Sequence, residues 1–184
     1  MSKIEEMLKN EKVEWKKLGE VCVFSRGQSI TKKDVKVGEI PVIAGGQKPA
    51  YYHNVSNRYG ITIAVAGSGA YAGFVSYWAK PIFLSDAFSI EPNDMLNKRY
   101  LYHWLLSKQD KIYGLKRGCG IPHVYGDSLG DLVIPIPPLK TQEKIVKTLD
   151  KFTEYVTELQ AELQYRTNQY EYYRNMLLSE EYLN

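Results

Sequence analysis

Past residue 140 the chain permits one kind of structure. Ile134-Pro135-Ile136-Pro137-Pro138 is a stretch no helix interior tolerates, yet from Thr141 to Asn184 there is neither Pro nor Gly. Thr141 is placed to cap a helix there, with Glu143 meeting the dipole in its first turn. Apolar residues follow at Ile145, Leu149, Phe152, Val156, Leu159 and Leu163, in alternating steps of four and three. Arg166 interrupts, and Tyr170, Tyr173 and Leu177 resume the phase. This spacing predicts a helix of about 38 residues, about 57 Å long, carrying a heptad-like seam. The first turns can pack locally. A body of about 140 residues has a radius of gyration of only about 14 Å, so beyond Val156 the seam calls for a second helix from another chain or subunit. Leu149, Phe152, Val156, Leu159, Leu163, Tyr170, Tyr173 and Leu177 are the expected interface.

The preceding residues read as a body of short strands. Val21–Phe24, Ile40–Ile43, Ile61–Ala66, Phe74–Trp78, Ile82–Leu84, Phe88–Ile90 and Leu132–Ile136 are bounded by Gly, Pro, Asn and Asp. In the third of these, Ile61, Ile63 and Val65 alternate with Thr62, Ala64 and Ala66, giving one strongly apolar face and one small face. A helix interrupts the strands, with Asp94 as its cap and Leu96, Tyr100, Leu101, Trp104 and Leu105 as its buried face. A shorter helix is expected over 108–115. The fold class is α+β: an irregular β-rich body over 1–138 with a small helical element, then the long helix over 139–184.

Charge divides along the same boundary. Residues 1–140 carry 19 Lys and Arg against 13 Asp and Glu, and residues 141–184 carry 5 against 8. A basic body suits a polyanion, and the mildly acidic tail suits protein. No apolar run approaches the roughly 20 residues that cross a bilayer, and the charged start lacks a secretory apolar block. Cys22 and Cys119 are too far apart for a C-x-x-C pair. These features point to a cytoplasmic chain with reduced thiols and no membrane association.

Catalytic signatures fail on local grounds. Gly67-Ser68-Gly69-Ala70-Tyr71-Ala72-Gly73 follows a strand but precedes the strand pattern Phe74-Val75-Ser76-Tyr77-Trp78. A phosphate cradle needs a helix there, so the segment reads as a β-hairpin loop. His53, His103 and His123 are scattered, which gives no metal site. Ser68 lacks the G-x-S-x-G elbow, and Glu14-Trp15-Lys16 lacks an upstream acid for a nuclease. There is no Asn/Asp-Pro-Pro-aromatic methyltransferase motif. The chain reads as non-catalytic, with no metal and no cofactor of its own.

What the loops do offer suits nucleic acid. Residues 25–33 supply Arg26, Gln28, Lys32 and Lys33, and residues 44–54 supply Gln47, Lys48, Tyr51, Tyr52 and His53. The hairpin contributes Ser68 and Tyr71, and residues 116–125 contribute Lys116, Arg117, His123 and Tyr125. Arg and Lys pair with phosphate or with guanine O6/N7, Gln with adenine N6/N7, and glycines admit close backbone approach.

Several segments together resemble the specificity subunits of type I restriction–modification enzymes. They are Glu14-Trp15-Lys16-Lys17-Leu18-Gly19-Glu20-Val21, Pro41-Val42-Ile43-Ala44-Gly45-Gly46-Gln47-Lys48-Pro49, Ala66–Gly73 and Phe83-Leu84-Ser85-Asp86-Ala87-Phe88. The most specific are Gly120-Ile121-Pro122-His123-Val124, Ile134-Pro135-Ile136-Pro137-Pro138-Leu139, and Gln142-Glu143-Lys144-Ile145-Val146 opening the helix. The resemblance implies a target recognition domain over 1–138 that reads one half of an interrupted double-stranded DNA sequence, and a spacer helix over 139–184. It also implies assembly with a modification (methyltransferase) subunit that binds S-adenosylmethionine, and optionally with a restriction subunit. Full subunits of the family carry two recognition domains and two spacer helices that pair antiparallel. This sequence looks half-length, natural or truncated, so the same pairing would come from a homodimer with two-fold symmetry. The expected target is an interrupted palindrome whose half-sites lie about 34–36 Å apart. A stand-alone dimeric DNA-binding regulator shares these features, and a protein-interaction scaffold would use the Tyr-rich tail or Pro135–Pro138 and ignore DNA.

Overall fold

The computed structural model describes residues 11–179, which fall into two compact units on either side of the Lys144–Ile145 bond. In the first unit the chain opens with β1 (Glu14–Lys17), a single turn α1 (Leu18–Val21) and β2 (Cys22–Arg26). Then come β3 (Ile40–Ile43), β4 (Tyr51–His53), β5 (Thr62–Ala66), β6 (Val75–Trp78), β7 (Phe83–Leu84) and β8 (Ala87–Pro92). Two helices, α2 (Lys98–Ser107) and α3 (Gln109–Tyr113), precede the turn α4 (Gly126–Gly130), β9 (Val133–Ile136) and α5 (Leu139–Leu177).

Three sheets result. The largest is antiparallel in the order β2-β8-β5-β6, the second is β4-β3-β7, and β1 pairs with β9. The mixture of sheets with helices between them is the expected α+β class. All five residues of β5 are buried. Its small residues explain how: Ala64 packs with Ile43, Ile82, Leu84 and Ala87, with Trp78 against them, so a second sheet closes over that face. Ile63 and Val65 are fully buried as well. Ile61, read as part of the strand, lies just outside it and is exposed.

Two helix starts differ from expectation. Asn97, not Asp94, caps α2, its side chain accepting the N–H groups of Arg99 (2.9 Å) and Tyr100 (3.0 Å). Both are Asx residues before an apolar run, and only three-dimensional placement chooses between them. Thr141 does not cap α5: the helix begins at Leu139, and the Pro138 carbonyl accepts the Thr141 N–H at 2.8 Å. Thr141 is buried, its hydroxyl donating to Glu11 at 2.7 Å, and Glu143 lies beyond the first turn. Of the expected buried face of α2, Tyr100, Leu101 and Leu105 are buried; Leu96 is buried just before the helix and Trp104 is half-buried.

Gln142 locks the start of α5 into this unit. Fully buried, it accepts the Asn97 N–H at 2.7 Å and donates to the carbonyls of Met95 (2.9 Å) and Pro137 (2.8 Å). Its amide thereby satisfies three backbone groups at the helix start, the bond to Pro137 being buried. Ile134 and Ile136 are buried on β9, while the intervening Pro135 pairs in register with Trp15 across the two-stranded ribbon, a setting at a sheet edge where proline is tolerated.

The second unit is the remainder of α5. Glu162 and Arg166 form an i, i+4 ion pair at 2.8 Å, and Thr153, Thr157 and Thr167 return their hydroxyls to the carbonyl four residues back. All eight seam residues are exposed, from 37% at Leu149 to 68% at Leu159. No helix among the described residues is long and apolar enough to cross a membrane.

Candidate nucleic-acid interface

The hairpin between β5 and β6 organises the candidate surface. Residues 67–73 form its loop, as expected of a strand–glycine–strand pattern, and Gly69 and Gly73 take positive φ. The loop is stitched to the 116–125 segment: Gly69 N–H donates to Pro122 O and Val124 N–H to Gly67 O, both at 3.0 Å. Ser68 and His123 face each other in an antiparallel bridge, and Arg117 and His123 exchange backbone hydrogen bonds of 2.9 and 2.8 Å. The Lys116 ammonium donates to Ala70 O at 2.8 Å and sits 4.6 Å from the Tyr113 ring centre. Burial, then Asp110 and Tyr71, hold the Tyr113 hydroxyl above the usual tyrosine range.

The 44–50 loop meets the same hairpin, and the 25–33 loop roots beside it. A β-carbon on Gly45 would come within 2.3 Å of the Ser68 carbonyl, so only glycine lets the 44–50 loop approach so closely. The hydroxyl of Ser68 donates to Asp86, whose carbonyl accepts the Gly67 N–H at 3.0 Å. The first loop roots beside it, with Gly27 N–H bonded to Ala87 O (2.8 Å) and Gln28 N–H to Leu84 O (2.9 Å). Arg58 holds that root. Its guanidinium donates to the carbonyls of Ser25 (3.2 Å), Arg26 (3.0 Å) and Asn57 (2.9 Å) and to the Ser89 hydroxyl (2.9 Å). Asn57 brackets Leu84 from its other side. Neither residue was legible as part of a site, because their partners lie about 30 positions away in sequence.

Arg26, Gln28, Lys32, Lys33, Gln47, Lys48, Tyr51, Tyr52, Tyr71, Arg117 and Tyr125 are exposed, and Ser68, Lys116 and His123 are half-buried. The His123 and Tyr125 rings stack at 6.0 Å. Lys32 and Lys33 lie in a turn closed by Asp34, which accepts from the Thr31 hydroxyl at 2.6 Å; the turn is flanked by bonds from Ile30 N–H to the Ser85 hydroxyl and from Lys36 N–H to His53. His53 is the exception: it is buried, its Nδ1 accepts the Lys36 N–H at 3.0 Å, and its ring packs edge-on to Phe83. It belongs to the core behind β4, because alternation along the strand turns it inward while Tyr52 points out.

Among the described residues no cluster of His, Cys, Asp and Glu could hold a metal ion. Burial, then Glu91, pushes the Cys22 thiol up to about 12, which keeps it protonated and unreactive.

Comparison with known proteins places this architecture. The chain spans about half the length of the curated relatives it matches. The EcoR124I/EcoR124II specificity subunit of Escherichia coli, a type I restriction enzyme subunit, is 31% identical over 93% of this chain and 49% of its own. Among solved structures, the type I restriction–modification S subunit of M. genitalium superposes over 100% of this chain and 50% of its own, with a TM-score of 0.75 and 24% identity. The HsdS subunit of Thermoanaerobacter tengcongensis covers 86% of this chain and 43% of its own, with a TM-score of 0.64 and 19% identity, and shares the fold. Residues 10–166 match the family model described as the type I restriction modification DNA specificity domain, and the chain belongs to that family.

Proposed function

We propose that this chain is the non-catalytic address reader of a type I restriction–modification complex. Its body reads one half-site of an interrupted double-stranded DNA target, and its long helix pairs antiparallel with that of a second copy. The resulting two-fold dimer spaces two identical readers and docks a modification subunit, which binds S-adenosylmethionine, and optionally a restriction subunit. The work takes place in the cytoplasm.

The observation that carries the reading is the gathering of the 44–50, 67–73 and 116–125 loops around Ser68. A duplex is read where several short polar segments reach neighbouring base edges at once, and one isolated basic loop supplies affinity without choice. Arg26, Gln28, Gln47, Lys48, Tyr51, Tyr52, Ser68, Tyr71, Lys116, Arg117, His123 and Tyr125 supply the contacts. Lys32 and Lys33, on their separate turn, supply phosphate contacts. His53 holds β4 in place behind them.

Mapping of methylated positions after co-expression with a cognate modification subunit tests this. A symmetric two-part pattern is expected. Tight operator binding by the chain alone, with no methylation under any pairing, would instead mark a stand-alone regulator.

A further inference from the structure

A cleft of about 210 Å³ opens in the body beside the gathered loops. Phe24, Phe88 and Tyr125 give it aromatic walls, and Arg26, Asp86 and Asp127 line it with charge. Two of these three charges are unspent. Among the described residues the side chains of Arg26 and Asp127 make no hydrogen bond or ion pair, although opposite charges share one small cleft. Ser68 takes one oxygen of Asp86, and the other, Oδ1, lies toward Gly67 on the cleft wall. Gly126 keeps the space open: a β-carbon there would press to 2.9 Å from the Phe24 side chain.

One guanidinium against two carboxylates leaves the cleft net negative, which repels phosphate. Its occupant must therefore offer a hydrogen-bond donor to a carboxylate and, beside it, acceptors to a guanidinium. In the major groove one base pair does this across its width: cytosine presents N4–H and guanine presents O6 and N7. Adenine·thymine offers the donor with a methyl group and a single O4 where the paired guanine acceptors would be. The geometry points to this cleft as the site that selects a C·G pair within each half-site. Arg26 donates to guanine O6/N7, and Asp127 accepts from cytosine N4. Asp86 is a positioning residue that fixes Ser68 and bars phosphate from the floor. The assignment rests on the DNA reading proposed above and names a base pair for it.

Selection of bound duplexes from a random pool tests it, using the full chain as wild type, Arg26→Gln, Asp127→Asn and Asp127→Ala. Both residues are exposed, so the variants fold. The wild type should enrich one C·G pair per half-site, and each variant should lose discrimination there alone, by about tenfold to a hundredfold. Replacing that guanine by 7-deazaguanine should weaken the wild type and leave Arg26→Gln unaffected. Unchanged preference in all three variants, or a wild-type motif without a C·G pair, overturns the assignment while leaving the DNA reader intact. A wild type that enriches no sequence overturns both.

Discussion

Leucines in the body and leucines on the long helix have opposite fates. Leu101 and Leu105 on α2 are wholly buried, whereas Leu159 and Leu163 on α5 are 68% and 67% exposed. Residue type and helical spacing are alike in the two places, so neither decides burial. What differs is the supply of neighbours: α2 packs against β6 and β8, and the described residues beyond Lys144 form one helix with no second element. The pairing proposed above would supply the missing neighbours with a second helix.

The sharpest way to break this contrast is a matched pair of truncations. Leu105→Ala should lower the unfolding free energy of the body by about 2–5 kcal/mol, the cost of a buried cavity. Leu159→Ala should leave it within about 0.5 kcal/mol. Chemical denaturation of the isolated variants measures both. Replacing Leu159 and Leu163 together by Asp should keep the body folded but abolish self-association in sedimentation equilibrium. A dimer that survives those charges would remove the seam from the interface.

The joint between the regions gives the next effect. Gln142→Leu keeps the volume but removes the partner of the Asn97 N–H and of two carbonyls, and the buried Pro137 carbonyl left unsatisfied costs about 1–3 kcal/mol. Thermal melts should show the loss, and Leu139–Lys144 should gain hydrogen exchange before the sheets do.

How far such features can be read in advance depends on how local their causes are. The long helix, the β5–β6 hairpin and the edge strand at Pro135 announce themselves through period, glycine spacing and missing N–H groups. Turns such as α1 and α4 are too short to show a period. Thr141 resembles a cap because nothing nearby reveals Glu11 as its partner. In the site, polar loops are visible one at a time. Their meeting is not, since it rests on Gly45 against Ser68, Ser68 against His123, and Arg58 reaching back to Ser25. His53 was misplaced for the opposite reason: a single-residue change of face on a three-residue strand is below what alternation resolves.

The same contrast can be drawn between loops. Arg117 is held by backbone pairing to His123, while among the described residues the side chains of Lys32 and Lys33, on a turn closed by Asp34, make no hydrogen bond or ion pair. Cations without a fixed partner suit phosphate, whose recognition needs charge more than position. Lys32→Glu with Lys33→Glu should therefore weaken binding to every duplex alike. The slope of log affinity against log salt should flatten by about 1–2, as roughly one counterion per lost contact is no longer released. Arg117→Ala should change affinity less and base preference more. Fluorescence anisotropy over a salt series separates the two.

The smallest effect distinguishes buried from exposed titrating groups. Burial raises the Cys22 thiol from 9.0 and the Tyr100 hydroxyl from 10.0, each to about 12, with Glu91 adding to the shift at Cys22. Tyr100 also donates its proton to the Pro135 carbonyl at 2.9 Å, a bond lost on ionisation. Above pH 9 the unfolded chain begins to release protons that the folded body retains, so the unfolded state binds fewer and stability must fall as pH rises toward 12. Below about pH 8 neither group contributes appreciable slope. Cys22→Ala should flatten the first part of this decline and Tyr100→Phe the second, read from urea midpoints between pH 8 and about 11. An alkaline slope that persists unchanged in Cys22→Ala would mean that water reaches this thiol in the folded body.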